Sequence, residues 1–350
     1  MANIQKNFIQ GKMNKSVDER LIPNGQYIDA LNVRLGSTEA SEIGSVENSK
    51  GNTKITTLTF SGTELSANAR CIGAYEDGSN ETIYFFVHDP SFTVGTTGKL
   101  DMIVSFDEQN DVTTYHVVSM KEGASGTNTT LNFDSKFLIH SINKVEDLLF
   151  FTDNLNQPRF INVKRNYQEP FSNIDVITAE SLLVIKKPPA ASPEFSLFTS
   201  PQENNYLENK LVCFAYRYEY QDDDYSATSQ WSKPAFLPKT FSIGIDDKLN
   251  NGMENARNGV SVTYNTGSSL VKSIEVLFKE SNKNTINIID KFSKEENGFV
   301  DNQDVTFEFD SNQIFTILNS DQLGRLYDAV PLKAKTQTLM GNRLIYGNYI

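Results

Sequence analysis

Acidic side chains clustered in loops are the first candidates for chemistry in this chain. Asp222-Asp223-Asp224 and Asp246-Asp247 are the strongest such clusters, and Ca²⁺ takes its oxygen ligands from loops of this kind. Neither run has the spaced Asp-x-Asp-x-Asn-Gly pattern of an EF-hand, so both are expected to be hairpin turns. The two thiols, Cys71 and Cys213, match no metal motif. A bridge between them is possible, but two buried free thiols are the expectation, burial being the common fate of an unpaired cysteine. His88, His116 and His140 are scattered, with no cysteine or carboxylate at ligand spacing. Each reads as a strand or turn residue. Glycoside hydrolysis needs two carboxylates across a cleft; an acidic chain offers many pairs, and no motif marks one. No Gly-x-Ser-x-Gly, no glycine-rich phosphate loop and no His-Glu-x-x-His occurs. The residues predict no catalytic, cofactor-binding or metal site, and a protein that is not an enzyme.

The elements that would position such side chains are strands. The 350 residues allow two domains and a substantial core. Hydrophobic content is low at 38% while aromatics reach 11%, with 23 Phe and 14 Tyr. That mix suits sheets with aromatic faces better than helical bundles. No apolar run approaches the roughly 20 residues of a membrane span, and the first residues lack the apolar core of a secretory signal. The net charge of −12 argues against a wall that grips nucleic acid, which would be basic. An acidic conduit along which DNA slides is compatible with that charge, although the sign alone says little.

Four regions are expected. Residues 1–52 are polar and rich in turn residues. Pro23-Asn24-Gly25 is a turn signal. Residues 30–35 alternate, with Leu31, Val33 and Leu35 on one face, and predict a half-buried strand. From 53 to 187, short apolar segments at 83–87, 102–106, 113–118, 137–142, 147–151 and 159–163 alternate with turns, which suggests a propeller, barrel or sandwich. A weak repeat favours the propeller: residues 79–86, 143–151 and 340–346 are each a turn feeding a continuous apolar strand. Strands apolar on both faces are packed between neighbouring sheets.

The Pro-rich stretch Lys186-Lys187-Pro188-Pro189 marks a boundary. Beyond it, residues 188–328 contain a long aromatic strand at 211–220, a turn at 221–224 and a polar continuation through Ser226, Ser229 and Ser232. Alternation at 260–264 and 274–279 would complete a sandwich. At 274–279 helical spacing also fits, but the β-branched and aromatic content favours a strand. Residues 329–350 read as a return to the propeller that opens another blade. With the blades visible here the propeller could not close, so the chain is expected to continue in a longer polypeptide or to complete a sheet in a partner. The fold class expected is all-β: a partial propeller-like body with an inserted fibronectin-III/Ig-like sandwich.

Particular residues carry a family resemblance. Asp18-Glu19-Arg20-Leu21-Ile22-Pro23-Asn24-Gly25-Gln26-Tyr27-Ile28-Asp29-Ala30-Leu31-Asn32-Val33-Arg34, followed by Glu42-Ile43-Gly44-Ser45-Val46-Glu47 and Gly51-Asn52, resembles the N-terminal segment of the tail nozzle proteins of short-tailed bacteriophages. These tubular, DNA-stabilising or muzzle-type proteins include those of crAss-like phages. Leu148-Leu149-Phe150-Phe151-Thr152-Asp153 and Pro158-Arg159-Phe160-Ile161-Asn162 resemble a phrase that recurs in the blades of that family. The run from Tyr216 to Ser232 is similar to fibronectin-III-like modules, with Asp224 where Glu often stands.

The resemblance implies a structural virion protein of the tail, assembled in the bacterial cytoplasm. It would form a ring, sixfold as in the family, that closes and lines the DNA ejection channel. Its implied partners are itself, adaptor or ring proteins, fibres, and genomic DNA passing without sequence-specific binding. A glycan-binding adhesin of the tail is the alternative, and would carry an aromatic-lined pocket. Candidate interface residues are Asp18, Arg20, Tyr27, Asn32 and Arg34, with Leu344, Ile345 and Tyr346 expected to bury against protein outside this chain.

Overall fold

The computed structural model describes residues 10–35, 46–48, 51, 54–94, 96–122, 129–165, 167, 177–202, 204–246, 248–312, 314–341 and 343–350. The chain is all-β. Among the described residues one four-residue α-helix occurs, Lys294–Asn297, and no helix is long and apolar enough to cross a membrane. Residues 1–57 and 58–350 form two compact units.

The first unit is held by polar contacts. Gly25 supplies the positive φ of +100° that closes the expected turn, and Gln26 N–H donates to the Pro23 carbonyl at 3.1 Å. Lys12–Met13 pairs in parallel with Gln26–Tyr27. The Gln26 amide sits between Asn14 and Gln10, at 2.9 and 3.0 Å. The strand expected at 30–35 is shortened. Asn32 adopts a left-handed φ of +55°, so extended pairing covers only Val33–Leu35, opposite Val46–Asn48. Leu31 is 82% exposed instead of half-buried.

The second unit begins with an antiparallel meander of β1 (Arg70–Asp77), β2 (Thr82–Val94), β3 (Thr96–Asp107) and β4 (Val112–Glu122), each paired with its sequence neighbour. It is buried on both faces, as continuous apolar strands require. On one face lie Val87, Leu100, Met102, Val104 and Val118 beneath Phe60, whose ring meets Phe92 edge-on at 5.9 Å. On the other, Tyr84, Phe86, Ile103 and Val117 share a core with Leu149, Phe151 and Ile161. These three belong to a second meander of β5 (Ser141–Val145), β6 (Leu148–Thr152) and β7 (Arg159–Asn162).

The strand expected at 137–142 begins only at Ser141. Residues 137–140 instead lie against β1. Ile139 N–H donates to the Ile72 carbonyl at 2.8 Å, and the Ile139 side chain fills the space that a Cβ on Gly73 would need. The turn expected at 143–146 is also displaced. Residues 143–145 are strand, and Glu146, at φ +51°, makes the tight turn into β6.

Within residues 188–328 two sheets pack face to face. One contains β8 (Glu194–Phe198), β10 (Gly259–Asn265) and β13 (Asp304–Phe309); the other contains β9 (Val212–Tyr220), β11 (Val271–Glu280), β12 (Ile286–Ser293) and β14 (Thr316–Ile317). Residues 274–279 are therefore strand. Phe214, Tyr216 and Tyr218 of one sheet share a core with Val260, Val262, Tyr264 and Phe309 of the other. Residues 334–349 return as a hairpin, β15 (Ala334–Met340) with β16 (Arg343–Tyr349). It leans on the second meander through Asn154 N–H to the Ala334 carbonyl, 3.0 Å, and Gln337 to Asn143, 3.3 Å.

Two polar contacts sit at the join of the meanders. Lys144 of β5 donates to Asp77 of β1 at 2.6 Å, both side chains being largely buried. Burial pushes the Asp77 carboxyl up, but hydrogen bonds from Lys144 and Asn80 outweigh it and hold the group below its ordinary range. Lys144→Met should cost about 2–3 kcal/mol in urea unfolding, because it strands a buried carboxylate. The double variant D77N/K144M should recover more than half of that; a loss below ~0.5 kcal/mol for the single variant would show that the pair does not tie the sheets.

His116 is buried in the same region. Its Nε2 meets Ser105 Oγ at 2.8 Å, and burial holds the ring below its usual pKa despite a hydrogen bond to the Val163 backbone. The folded chain therefore binds fewer protons here than the unfolded chain. Stability from this site is complete above the unfolded value of about 6.5 and falls as pH drops below it. Thermal melts between pH 7.5 and 5 should show that slope, and His116→Gln should flatten it.

Candidate interaction surfaces

The acidic run 222–224 is a hairpin turn in which Asp222 and Asp223 meet separate cations. Asp222 binds Arg165 and accepts from Asn162 at 3.2 Å. Asp223, at φ +58°, pairs with Lys272 at 2.6 Å. Burial pushes the Asp224 carboxyl up. Asp247 lies outside the described residues. His88 Nδ1 lies 2.6 Å from Asp101, which also accepts the Phe133 N–H at 2.9 Å and so organises residues 129–133. The thiols are free as expected but not buried as expected. Cys71 is exposed, Cys213 is half-buried, and both are free. The register shift between Cys71 and Gly73 accompanies the exposure of Cys71.

The resemblance-bearing residues of the first unit do two kinds of work. Asp18 caps the short 3₁₀ turn Glu19–Leu21 by accepting the Arg20 N–H at 3.0 Å. Tyr27 lies in the parallel pair with Met13, and Asn32 makes the left-handed kink. Arg34 pairs with Glu47 across the hairpin; its side chain lies outside the described residues. Two apolar side chains near them face outward: Leu21 is 71% exposed and Leu31 82%. A unit whose turns are fixed while Leu21 and Leu31 are open to solvent presents a surface there rather than a core.

Near the other end, Leu344, Ile345 and Tyr346 lie on β16 and so face alternate sides. Tyr346 packs beside Pro158, Leu183 and Val330, with its hydroxyl buried and without a partner among the described residues. Leu344 lines an apolar groove of about 520 Å³ with Val145, Leu148, Phe150, Leu339 and Met340. Ile345 points outward.

A second cavity, also about 520 Å³, opens beside the aromatic strand and is lined by Tyr216, Tyr218, Tyr220, Tyr264, Lys187, Glu194 and Asp304 among others. The four rings are at most 7% exposed. They pack on one another, with Tyr216–Tyr218 centroids 5.8 Å apart and Tyr216–Tyr264 5.9 Å apart. The rings belong to the sandwich core as well as to the cavity wall.

Next to that cavity Lys186 is 4% exposed. Its ammonium lies over Phe160 at 4.6 Å and Tyr220 at 5.3 Å, with no hydrogen-bond acceptor among the described residues. Burial lowers its pKa, opposed by the charges of Asp224 and Asp222. Cation–π contact offsets only part of the lost hydration. Lys186→Met, which keeps the volume and removes the charge, should leave the fold intact and raise its stability at pH 7 by about 1 kcal/mol. A loss of that size in chemical denaturation would mean that the ammonium is a net tie to the carboxylates of the turn.

One surface escaped the sequence reading. Residues 237–256 form a ribbon, with bridges Pro238↔Asn255 and Ile243↔Asn250. Its period-two signal, Phe241-x-Ile243-x-Ile245, was present in the sequence but overshadowed by the acidic pair after it.

An all-β chain of small packed sheets, with apolar surfaces left open, has the character of an assembly component. Comparison with known families is more specific: the family described as Crassvirus muzzle protein matches residues 3–200, more than half of the chain. The chain belongs to that family, and is a structural protein of the phage tail that assembles with other virion proteins. No curated protein and no solved structure matches it.

Proposed function

We propose that this chain forms the distal nozzle of a short phage tail, a homo-oligomeric ring of six that closes and lines the channel for DNA ejection. Membership of the muzzle family carries the reading. The two stacked meanders suit a rigid, propeller-like wall, and the sandwich suits contacts between subunits or with fibres. The net charge of −12 is compatible with passage of DNA, since a wall that grips phosphates would be basic. The work is geometric: assembly and closure, with no bond made or broken. Assembly takes place in the host cytoplasm.

The first unit is the docking element. Its polar turns fix the shape of a segment whose leucines are left open, and a neighbouring tail component would cover them. Deleting residues 2–35 should give a folded body that is absent from particles when it is the sole source of the protein. Truncated protein that still enters infectious particles would sink this role.

The tyrosine-lined cavity is the one observation favouring a glycan-binding adhesin. Its rings are at most 7% exposed and pack on one another, and the family match supports the nozzle reading instead.

A further inference from the structure

The returning hairpin is supported on one side only. β15 leans on the second meander through the Ala334 carbonyl and Gln337. β16 pairs with β15 and with no other strand among the described residues. Two residues separate Met340 from its partner Arg343, so that pair closes a two-residue loop and exchanges both backbone hydrogen bonds. The ladder alternates from there, through Thr338↔Ile345 and Thr336↔Gly347. Arg343, Ile345 and Gly347 therefore turn their N–H and C=O groups to β15. Leu344 and Tyr346 turn theirs to the open side, where neither meets a backbone partner among the described residues. Asn348, at φ +52°, ends the regular edge.

An open edge of this kind is recognised by an extended backbone, which fills its donors and acceptors in turn. We propose that β16 is a strand-addition site whose guest is an extended, acidic segment of another tail protein. The inference rests on the chain's assembly with other virion proteins and not on the number of subunits in a ring.

Charge defines the guest first. Residues 329–350 contain Lys333, Lys335 and Arg343 and no acidic residue, in a chain of net charge −12. None of the three forms an ion pair with a described residue. Asp or Glu on the guest would meet them. Two β16 edges paired with each other would instead set three cations beside three cations. The other described strands of the chain are held in sheets of their own, so a free extended segment has to come from a different polypeptide. Side-chain pattern defines the guest further. A residue directly opposite Leu344 on the same face would lie about 5 Å from it. Leu344 lines an apolar groove with Val145, Phe150 and Leu339, so the guest is apolar there and at every second position.

The test reads amide exchange of the full chain, free and in purified particles. In the free chain the Ile345 and Gly347 amides should exchange slowly and those of Leu344 and Tyr346 quickly. In particles the latter two should slow at least about tenfold. Leu344→Pro removes an outward donor, which an edge tolerates. It should keep slow exchange at Ile345 and Gly347, yet be lost from particles when it is the sole source of the protein. Lys335→Glu with Arg343→Glu, both exposed positions, tests the charge independently and should lower incorporation at least about tenfold. A short cross-linker on Asn348→Cys, in chains with Cys71→Ser, should link to an acidic segment of a different tail protein, identified by peptide sequencing. Wild-type chains present in tails with Leu344 and Tyr346 still exchanging quickly overturn the contact and leave the tail role standing. Wild-type chains absent from tails overturn both. Unchanged incorporation of K335E/R343E overturns the acidic guest, and a link between two copies of the chain overturns the choice of partner.

Discussion

The strand Val212–Tyr220 is buried on both faces and paired on both edges, and the sandwich depends on that. Its inner face carries the tyrosine ladder into the core. Its outer face would leave Arg217 as a buried charge, were it not bound to Glu275 at 2.7 Å and to Gln322 at 2.6 Å. One edge pairs with β11. The other meets a chain segment that is not a regular strand. Ser226, Ser229 and Ser232 donate their N–H groups to the carbonyls of Tyr218, Tyr216 and Phe214, while their hydroxyls accept the N–H of the same three residues, at 2.8–3.0 Å. Three residues on one side thus match two on the other. Each mismatch is a bulge, and each serine hydroxyl supplies the acceptor that the bulged backbone misplaces. Replacing any one of them would leave a buried N–H without a partner.

That device explains a motif whose meaning was only half visible in the sequence. The spacing Ser226-x-x-Ser229-x-x-Ser232 was legible as a module signature, and the aromatic strand before it as a strand. The reason for a period of three was not, because it depends on which carbonyls face it across the edge. The same limit applies elsewhere. Continuous apolar runs identified β2, β3 and β6, since two-sided burial demands them. Segment 137–142 has the same composition, yet it turns into strand only at Ser141, because Gly73 lets Ile139 plug directly onto β1. Alternation at 30–35 predicted burial, and Asn32 cancelled it through a backbone angle that composition does not encode. Of the candidate interface, the N-terminal residues were legible through resemblance alone. The arm at 237–256 was readable by period but masked by its acidic tip.

A contrast runs through the chain between surfaces that are saturated and surfaces that are not. Where sheets meet, buried charges are paired: Asp77 with Lys144 and Asp222 with Arg165. Such matching is costly to assemble and costly to break, so it fixes one arrangement of layers. At the leucines of the first unit, the groove beside β16 and the arm, apolar area is left in water. A monomeric protein tolerates only modest patches of this kind. Their distribution over three separate places is what a subunit with several neighbours requires.

Rigidity is what makes those open surfaces useful. An apolar side chain on a mobile loop loses entropy when it docks, and that cost is subtracted from the contact. Here each open surface is carried on a paired element. The leucines flank turns closed by Gly25 and capped by Asp18; the groove lies between two hairpins tied by Gln337 and Asn143; the arm is clamped at Asn255 and Lys239. The hydrogen bonds and ion pairs that look local, and contribute little each to folding, therefore act at a distance. They hold apolar groups in a fixed geometry before any neighbour arrives, so that burial on assembly is not offset by ordering. In a tail protein that assembles with other virion proteins, such a polar network readies apolar groups for contacts that the subunit alone does not make.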